Sequence, residues 1–284
     1  MKKNVKKQKL KRKQIQNITS NVAIFALFIV LILVSLFTLL DKEKILESNE
    51  QSPKVIINYV EEGFFLDFDN GDTANIFNYS NDTSNGGVFN CLWSKDNAIV
   101  ENGFLNLYIT PSSKGKTEWQ CPELYSNQYV HYGLYEASIK TSGEIGTVVN
   151  FGVYSNAGNE IDIEFNGREK NQVELNYWVD GINSKGKIIN LDFKTNEDFH
   201  TYAFLWTSDY IVWSVDGKEV WKTTYKETGK PLIEAAPILI NFWAGTEKLS
   251  GWIGYLSSKK YDSKKPVSAQ FDWIKYTPLE LLDI

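Results

Sequence analysis

The stretch Glu160-Ile161-Asp162-Ile163-Glu164-Phe165 alternates acidic and apolar residues without a break. As a β-strand, with its side-chain period of two, it puts three carboxylates on one face and three apolar side chains on the other. Like charges in a row on a sheet face repel and raise one another's proton affinity, a cost that a merely soluble strand avoids by mixing in Lys or Thr. Cleavage of a glycosidic bond has a use for the pattern: two carboxyl groups must flank one sugar bond, one ionised and the other protonated. Glu160 and Glu164 are the candidates. Their Cα atoms stand about 13 Å apart along a regular strand, and side chains that lean inward bring the carboxyls to about 5 Å, the separation of a retaining enzyme. Asp162, between them, tunes both. The competing reading is a solvated acidic strand in a binding or scaffold sheet.

The elements that would position these groups are strands. Between Phe64 and Tyr276 short strand patterns alternate with turn signals and no helical period is sustained, so the expectation is an all-β sandwich. Tyr210-Ile211-Val212-Trp213-Ser214-Val215, Asp216-Gly217 and Lys218-Glu219-Val220-Trp221 read as a hairpin with a two-residue turn. From Val173 to Val179, Val173, Leu175, Tyr177 and Val179 share one face; Glu174, Asn176 and Trp178 share the other. The loop begun by Asn166-Gly167-Arg168 is short, so this strand should pair antiparallel with the acidic one and bring Asn176 and Trp178 beside the carboxylates. In Ile238-Leu239-Ile240-Asn241-Phe242-Trp243, Asn241 and Trp243 share a face. Trp stacks on sugar faces and Asn and Glu bond hydroxyls, so these strands point to a carbohydrate cleft.

The 284 residues suffice for a large β domain, and charge is unevenly spread. Lys2, Lys3, Lys6, Lys7, Lys9, Lys11, Arg12 and Lys13 precede any acidic residue, leaving 22 basic against 35 acidic side chains from Asp41 onward. That excess of acid excludes nucleic acid as a partner of the main body. Residues 1–21 read as a basic cytoplasmic tail and residues 22–40, uncharged and apolar, as a transmembrane helix about 28 Å long. The positive-inside rule then exports everything after Asp41. An uncleaved anchor is preferred to a signal peptide because Leu36-Phe37-Thr38-Leu39-Leu40 offers no small-residue cleavage site; secretion after cleavage is the alternative. Residues 41–61 read as a solvated linker and residues 62–284 as the working domain. Cys91 and Cys121 are the two cysteines. An exported domain permits a disulfide between them, worth about 3 to 4 kcal/mol, and spacing alone leaves two separate thiols equally open.

Other chemistry finds little support. Two histidines, His131 and His200, and cysteines thirty residues apart do not make a zinc site, and both histidines read as structural. No phosphate loop or nucleophile elbow is present.

The acidic strand resembles glycoside hydrolase family 16, and the similarity to its bacterial lichenases, the β-1,3-1,4-glucanases, runs from about Glu62 to Thr277. Ser84-Asn85-Gly86-Gly87-Val88-Phe89-Asn90-Cys91, Tyr132-Gly133-Leu134-Tyr135-Glu136, Phe199-His200-Thr201-Tyr202-Ala203-Phe204 and Phe271-Asp272-Trp273-Ile274-Lys275-Tyr276 carry it. The Glu-x-Asp-x-Glu form without an inserted residue is similar to the lichenase type. The resemblance implies a β-jelly roll of two curved antiparallel sheets (concanavalin A-like), with Glu160 as nucleophile, Glu164 as general acid/base and Asp162 assisting. It pairs Cys91 with Cys121, and it carries over Asn85, Glu123, Tyr154, Asn176, Asn241 and Trp243 as substrate-binding positions. Trp178 joins them, standing where a Tyr is usual. No cofactor is required for catalysis, and a structural Ca2+ is implied at Asp67, Gly103 and Asp272. Three further positions and one loop depart from the pattern. Tyr125 replaces an Arg, Gly152 a Phe and Gly158 a cleft Trp, and the Ser155-Asn156-Ala157-Gly158-Asn159 loop is shorter.

The reading is therefore a monomeric, membrane-anchored, outward-facing endo-β-glucanase acting on mixed-linkage or related β-glucan. A silent cell-surface carbohydrate-binding module and a wall-remodelling transglycosylase are the alternatives.

Overall fold

The computed structural model describes residues 62–73, 75–225 and 234–283. The basic tail, the 22–40 apolar run and the 41–61 linker lie outside the described residues. Among those described, no helix is long and apolar enough to cross a membrane.

Two sheets form the domain, with strands numbered along the chain. The inner sheet runs, in spatial order, β12 (Ile182–Asn190), β11 (Gln172–Val179), β10 (Glu160–Asn166), β9 (Thr147–Tyr154), β16 (Ile238–Ala244), β7 (Glu123–Ser126) and β2 (Phe77–Tyr79). The outer sheet runs β15 (Lys218–Thr224), β14 (Tyr210–Val215), β13 (His200–Trp206), β8 (Gly133–Lys140), β17 (Val267–Pro278), β5 (Phe104–Pro111), β6 (Trp119–Cys121) and β3 (Cys91–Trp93). Two short strands complete it, β1 (Phe64–Leu66) on β17 and β4 (Ala98–Glu101) on β5. Among residues 62–73, 75–224 and 234–283 the helical elements are single 3-10 turns. The architecture is the expected all-β jelly-roll sandwich.

Period-two alternation builds the core. Ile161, Ile163 and Phe165 of β10 are buried between the sheets, and so are Val173, Leu175, Tyr177 and Val179 of β11. Phe165 meets Tyr202 of β13 edge-on at 4.6 Å, and Phe151 meets Phe204 at 6.0 Å. Each such side chain taken from water stabilises by about 1.5 to 3 kcal/mol, so sliding β10 by one residue would exchange that gain for buried carboxylates. The hairpin forms as read: Asp216 (φ 49°) and Gly217 (φ 74°) both take the left-handed backbone that a two-residue turn between twisted strands requires.

Candidate active site

β10 is the third strand in from the β12 edge of the seven-stranded inner sheet, flanked on both sides by antiparallel neighbours, β11 and β9. The register puts Glu160 opposite Trp178 and Tyr154, Asp162 opposite Asn176 and Gly152, and Glu164 opposite Glu174 and Asn150. The short turn after Asn166 thus pairs the two strands as the sequence implies.

Burial separates the three carboxyls. Desolvation pushes Glu164 up to about 8, helped by the negative charge of Glu160, while a hydrogen bond from Asn176 Nδ2 to Glu164 Oε2 (2.8 Å) opposes the rise. Asp162, 2% exposed, is held well above the carboxylate range by burial and then by the charges of Glu160 and Glu164. Glu160 is raised by burial too, but its hydrogen bond with Asp162 pulls it back down. The arrangement leaves Glu160 best able to be ionised, with a protonated Asp162 as its donor and Glu164 holding a proton near neutral pH. An ionised nucleophile beside a protonated acid is what glycosidic cleavage requires.

An open pocket of about 690 Å³ adjoins Glu160. Tyr125, Tyr129, Tyr154 and Phe89 give it stacking surface, and Asn85, Glu123 and Asn241 give it hydrogen-bonding groups. Asn85 Oδ1 accepts from the Trp93 indole at 3.0 Å, and Ser80 Oγ donates to Glu123 Oε1 at 2.6 Å. Burial raises Glu123, against the hydrogen bonds from Ser80 and Asn241. The buried acceptors Asn150 Oδ1, Asp162 Oδ1 and Asn241 Oδ1 have no protein partner, and strand register puts all three on the cleft face. Such a floor suits a ligand rich in hydroxyls.

Two of the expected sugar contacts have other partners. The Trp178 indole donates to Asn176 Oδ1 at 3.0 Å, so its polar edge is engaged in orienting that amide. Trp243 is 5% exposed, lying 4.7 Å from Phe89 and 6.3 Å from Trp252, and the open ring on that flank is Trp252. Sequence reasoning did not select Ser80, Tyr129, Glu174 or Trp252. Glu174 was visible on the cleft face of its strand; Trp252 comes from a loop whose position no periodicity reveals.

The glycine departures follow from backbone packing. A Cβ on Gly152 would stand 2.1 Å from the Ile161 carbonyl oxygen and 3.1 Å from Asp162 Oδ1, so no side chain fits without moving the catalytic strand. Gly158 (φ +79°) would carry a Cβ 2.8 Å from Gly181 N, because its short loop folds onto the turn after β11, where Gly181 N–H donates to the Gly158 carbonyl at 2.8 Å.

The remaining expected residues are placed as follows. Cys91 and Cys121 form a disulfide, joining the parallel pair β3 and β6. His131 stacks on Tyr132, and His200 pairs with Asp216 (2.8 Å) and stacks on Phe193, both outside the cleft chemistry. Asp67, Gly103 and Asp272 are drawn toward one end of the outer sheet by the pairings Leu66 with Ile274, Phe271 with Leu105 and Glu101 with Phe104. Asp69 Oδ1 lies 3.0 Å from where a Gly103 Cβ would stand, so a carboxylate is added there. Among the described residues no three His, Cys, Asp or Glu side chains converge on a metal position. The donors fit a hard cation in kind, with backbone carbonyls needed for most of the shell.

Carboxyls of unequal proton affinity, set on the cleft face of a two-layer antiparallel sandwich beside aromatic and amide side chains, define a jelly-roll glycoside hydrolase. The family model for glycosyl hydrolases family 16 matches residues 85–275, and the chain belongs to that family. A beta-glucanase of Paenibacillus macerans is 39% identical over 202 residues, covering 68% of this chain and 79% of that protein. Among solved structures, a prokaryotic beta-1,3-1,4-glucanase (lichenase) from a mouse hindgut metagenome superposes with a TM-score of 0.69 at 32% identity, covering 77% of this chain and 100% of that one. The Bacillus licheniformis beta-glucanase does so with a TM-score of 0.68 at 32% identity, over 77% and 99% of the two chains.

Proposed function

We propose that this glycoside hydrolase is a retaining endo-β-glucanase that cuts β-1,3-1,4 mixed-linkage glucan or a closely related β-glucan. The carrying observation is the unequal pair: Glu164, raised to about 8, and Glu160, hydrogen-bonded by Asp162, on one strand at an open cleft. Glu160 attacks the anomeric carbon as Glu164 gives its proton to the leaving oxygen. Glu164 then takes a proton from water, which cleaves the glycosyl ester and regenerates Glu160. The names of the similar glucanases support the substrate class. Proton NMR of fresh products tests the reading: the β-anomer should appear first, and initial release of the α-anomer from a β-glucan would rule out retention. Loss of turnover in Glu160→Gln, with sugar binding kept, is the companion result expected.

The same proposal places the enzyme, as a monomer, outside the cell on an N-terminal membrane anchor, supported by the basic tail and the 22–40 apolar run. Fractionation with and without protease treatment of intact cells tests it, and a domain found only in the medium would refute the anchor. A structural calcium at the end of the outer sheet completes the proposal. Asp69 and Asp272 would supply carboxylates, and Asp67 and Gly103 backbone oxygens.

A further inference from the structure

The flank of the cleft beyond Glu164 holds a carboxylate that the catalytic assignment leaves unused. Glu174 lies directly across from Glu164 and shares the cleft face with Asn176. Both its oxygens accept from the Trp252 indole, at 2.9 and 3.1 Å, and Oε1 also accepts from Asn166 Nδ2 at 3.3 Å. The loop that delivers Trp252 is fastened from the same side. Asn166 Nδ2 donates to the Trp252 carbonyl at 3.2 Å, and the Arg168 guanidinium donates to the Gly251 carbonyl at 3.1 Å. The ring nonetheless stays 38% exposed. An indole gripped at its polar edge with its apolar surface left open is arranged for stacking. Ile188, across from Glu174 on β12 and well exposed, continues the apolar strip.

We propose that Glu174 is a positioning residue for the reaction: it fixes Trp252 as the stacking surface for the sugar on the leaving-group side and sets a like charge across from Glu164. This rests on Glu164 being the acid/base of the proposed reaction. The groups facing Glu164 are few. Its own strand contributes Glu160 and Asp162, β11 contributes Glu174 and the neutral Asn176, and β9 contributes the neutral Asn150. The turn between β10 and β11 carries Arg168 and Glu169, which pair with each other at 3.6 Å. Burial is the main cause of the raised proton affinity of Glu164, followed by Glu160, and Glu174 adds to it while Asn176 opposes. Glu174 therefore acts on the acid from the leaving-group flank, where the proton must be delivered.

Glu174→Gln keeps the shape and an oxygen for the indole but removes the charge; Trp252→Phe keeps the charge and a ring but loses the tether. Carbon-13 NMR titration of the glutamate carboxyls, which needs no substrate, should show Glu164 titrating lower in Glu174→Gln than in wild type, and by less than in Glu160→Gln, since Glu174 is the smaller of the two like charges acting on it. The alkaline limb of kcat/KM should move with it. Trp252→Phe should leave that limb in place and lower kcat/KM about tenfold on polysaccharide, while sparing an aryl glycoside whose leaving group does not reach the flank. A Glu164 titration unmoved by Glu174→Gln, or an equal loss on both substrates in Trp252→Phe, overturns the proposal. Wild-type protein inert on every β-glucan, with the Glu164 titration moved as expected, would instead count against the functional reading alone.

Discussion

Asn176 Nδ2 donates to Glu164 Oε2 at 2.8 Å while its own Oδ1 accepts from the Trp178 indole at 3.0 Å. The indole can only donate, so it decides which end of the amide faces the acid/base. Glu164 is thereby held through one oxygen, leaving the other for the proton.

Removing that hold should cost turnover more than binding. Asn176→Ala is expected to lower kcat about a hundredfold with little change in KM, since small misplacements of a catalytic group have effects of that order. Trp178→Phe, which frees the amide to turn over, should fall between it and wild type. Initial rates on soluble β-glucan measure both.

The proton held by Glu164 links activity to stability. The group's value rises from 4.5 to about 8 on folding, so its contribution to stability is fully present below 4.5 and is lost as pH rises toward 8. Glu164→Gln, always neutral, should melt higher than wild type between pH 7 and 9, with the gap closing below pH 4.5. Wild-type kcat/KM should decline on the alkaline side as the acid deprotonates. Calorimetry across pH checks the first expectation, and a pH–rate profile the second.

Gly152 allows β9 to approach β10 beside Asp162. The smallest side chain, in Gly152→Ala, meets the Ile161 carbonyl at 2.1 Å. The variant should lose about 1 to 3 kcal/mol of stability, the usual cost of overpacking, and most of its activity. Denaturant melts and kcat report the two effects. An unperturbed variant would mean that the strands separate freely there.

Chelation tests the calcium. If a cation is held near Asp69, Gly103 and Asp272, treatment with EDTA should lower Tm and added Ca2+ should restore it, because a ligand bound only by the folded state stabilises that state. Asp272→Asn should remove the response. An unchanged Tm would leave this end of the sheet as a charged but empty surface.

Much of the site is legible in the chain because a strand's period is two. Alternation alone put Glu160, Asp162 and Glu164 on one face, set Asn176 and Trp178 beside them through a short turn, and buried Ile161, Ile163 and Phe165. Periodicity assigns a face but does not name the neighbour on it. That β9 flanks the other edge, that Gly152 is dictated by the Ile161 carbonyl, and that Trp252 closes on Glu174 are pairings between distant segments, decided by how the sheets stack. The same holds for the chemistry. The residue types supplied three carboxyls, but their unequal proton affinities arise from desolvation and from each other's charge, and those exist only once the second sheet has covered one face and left the other as a cleft.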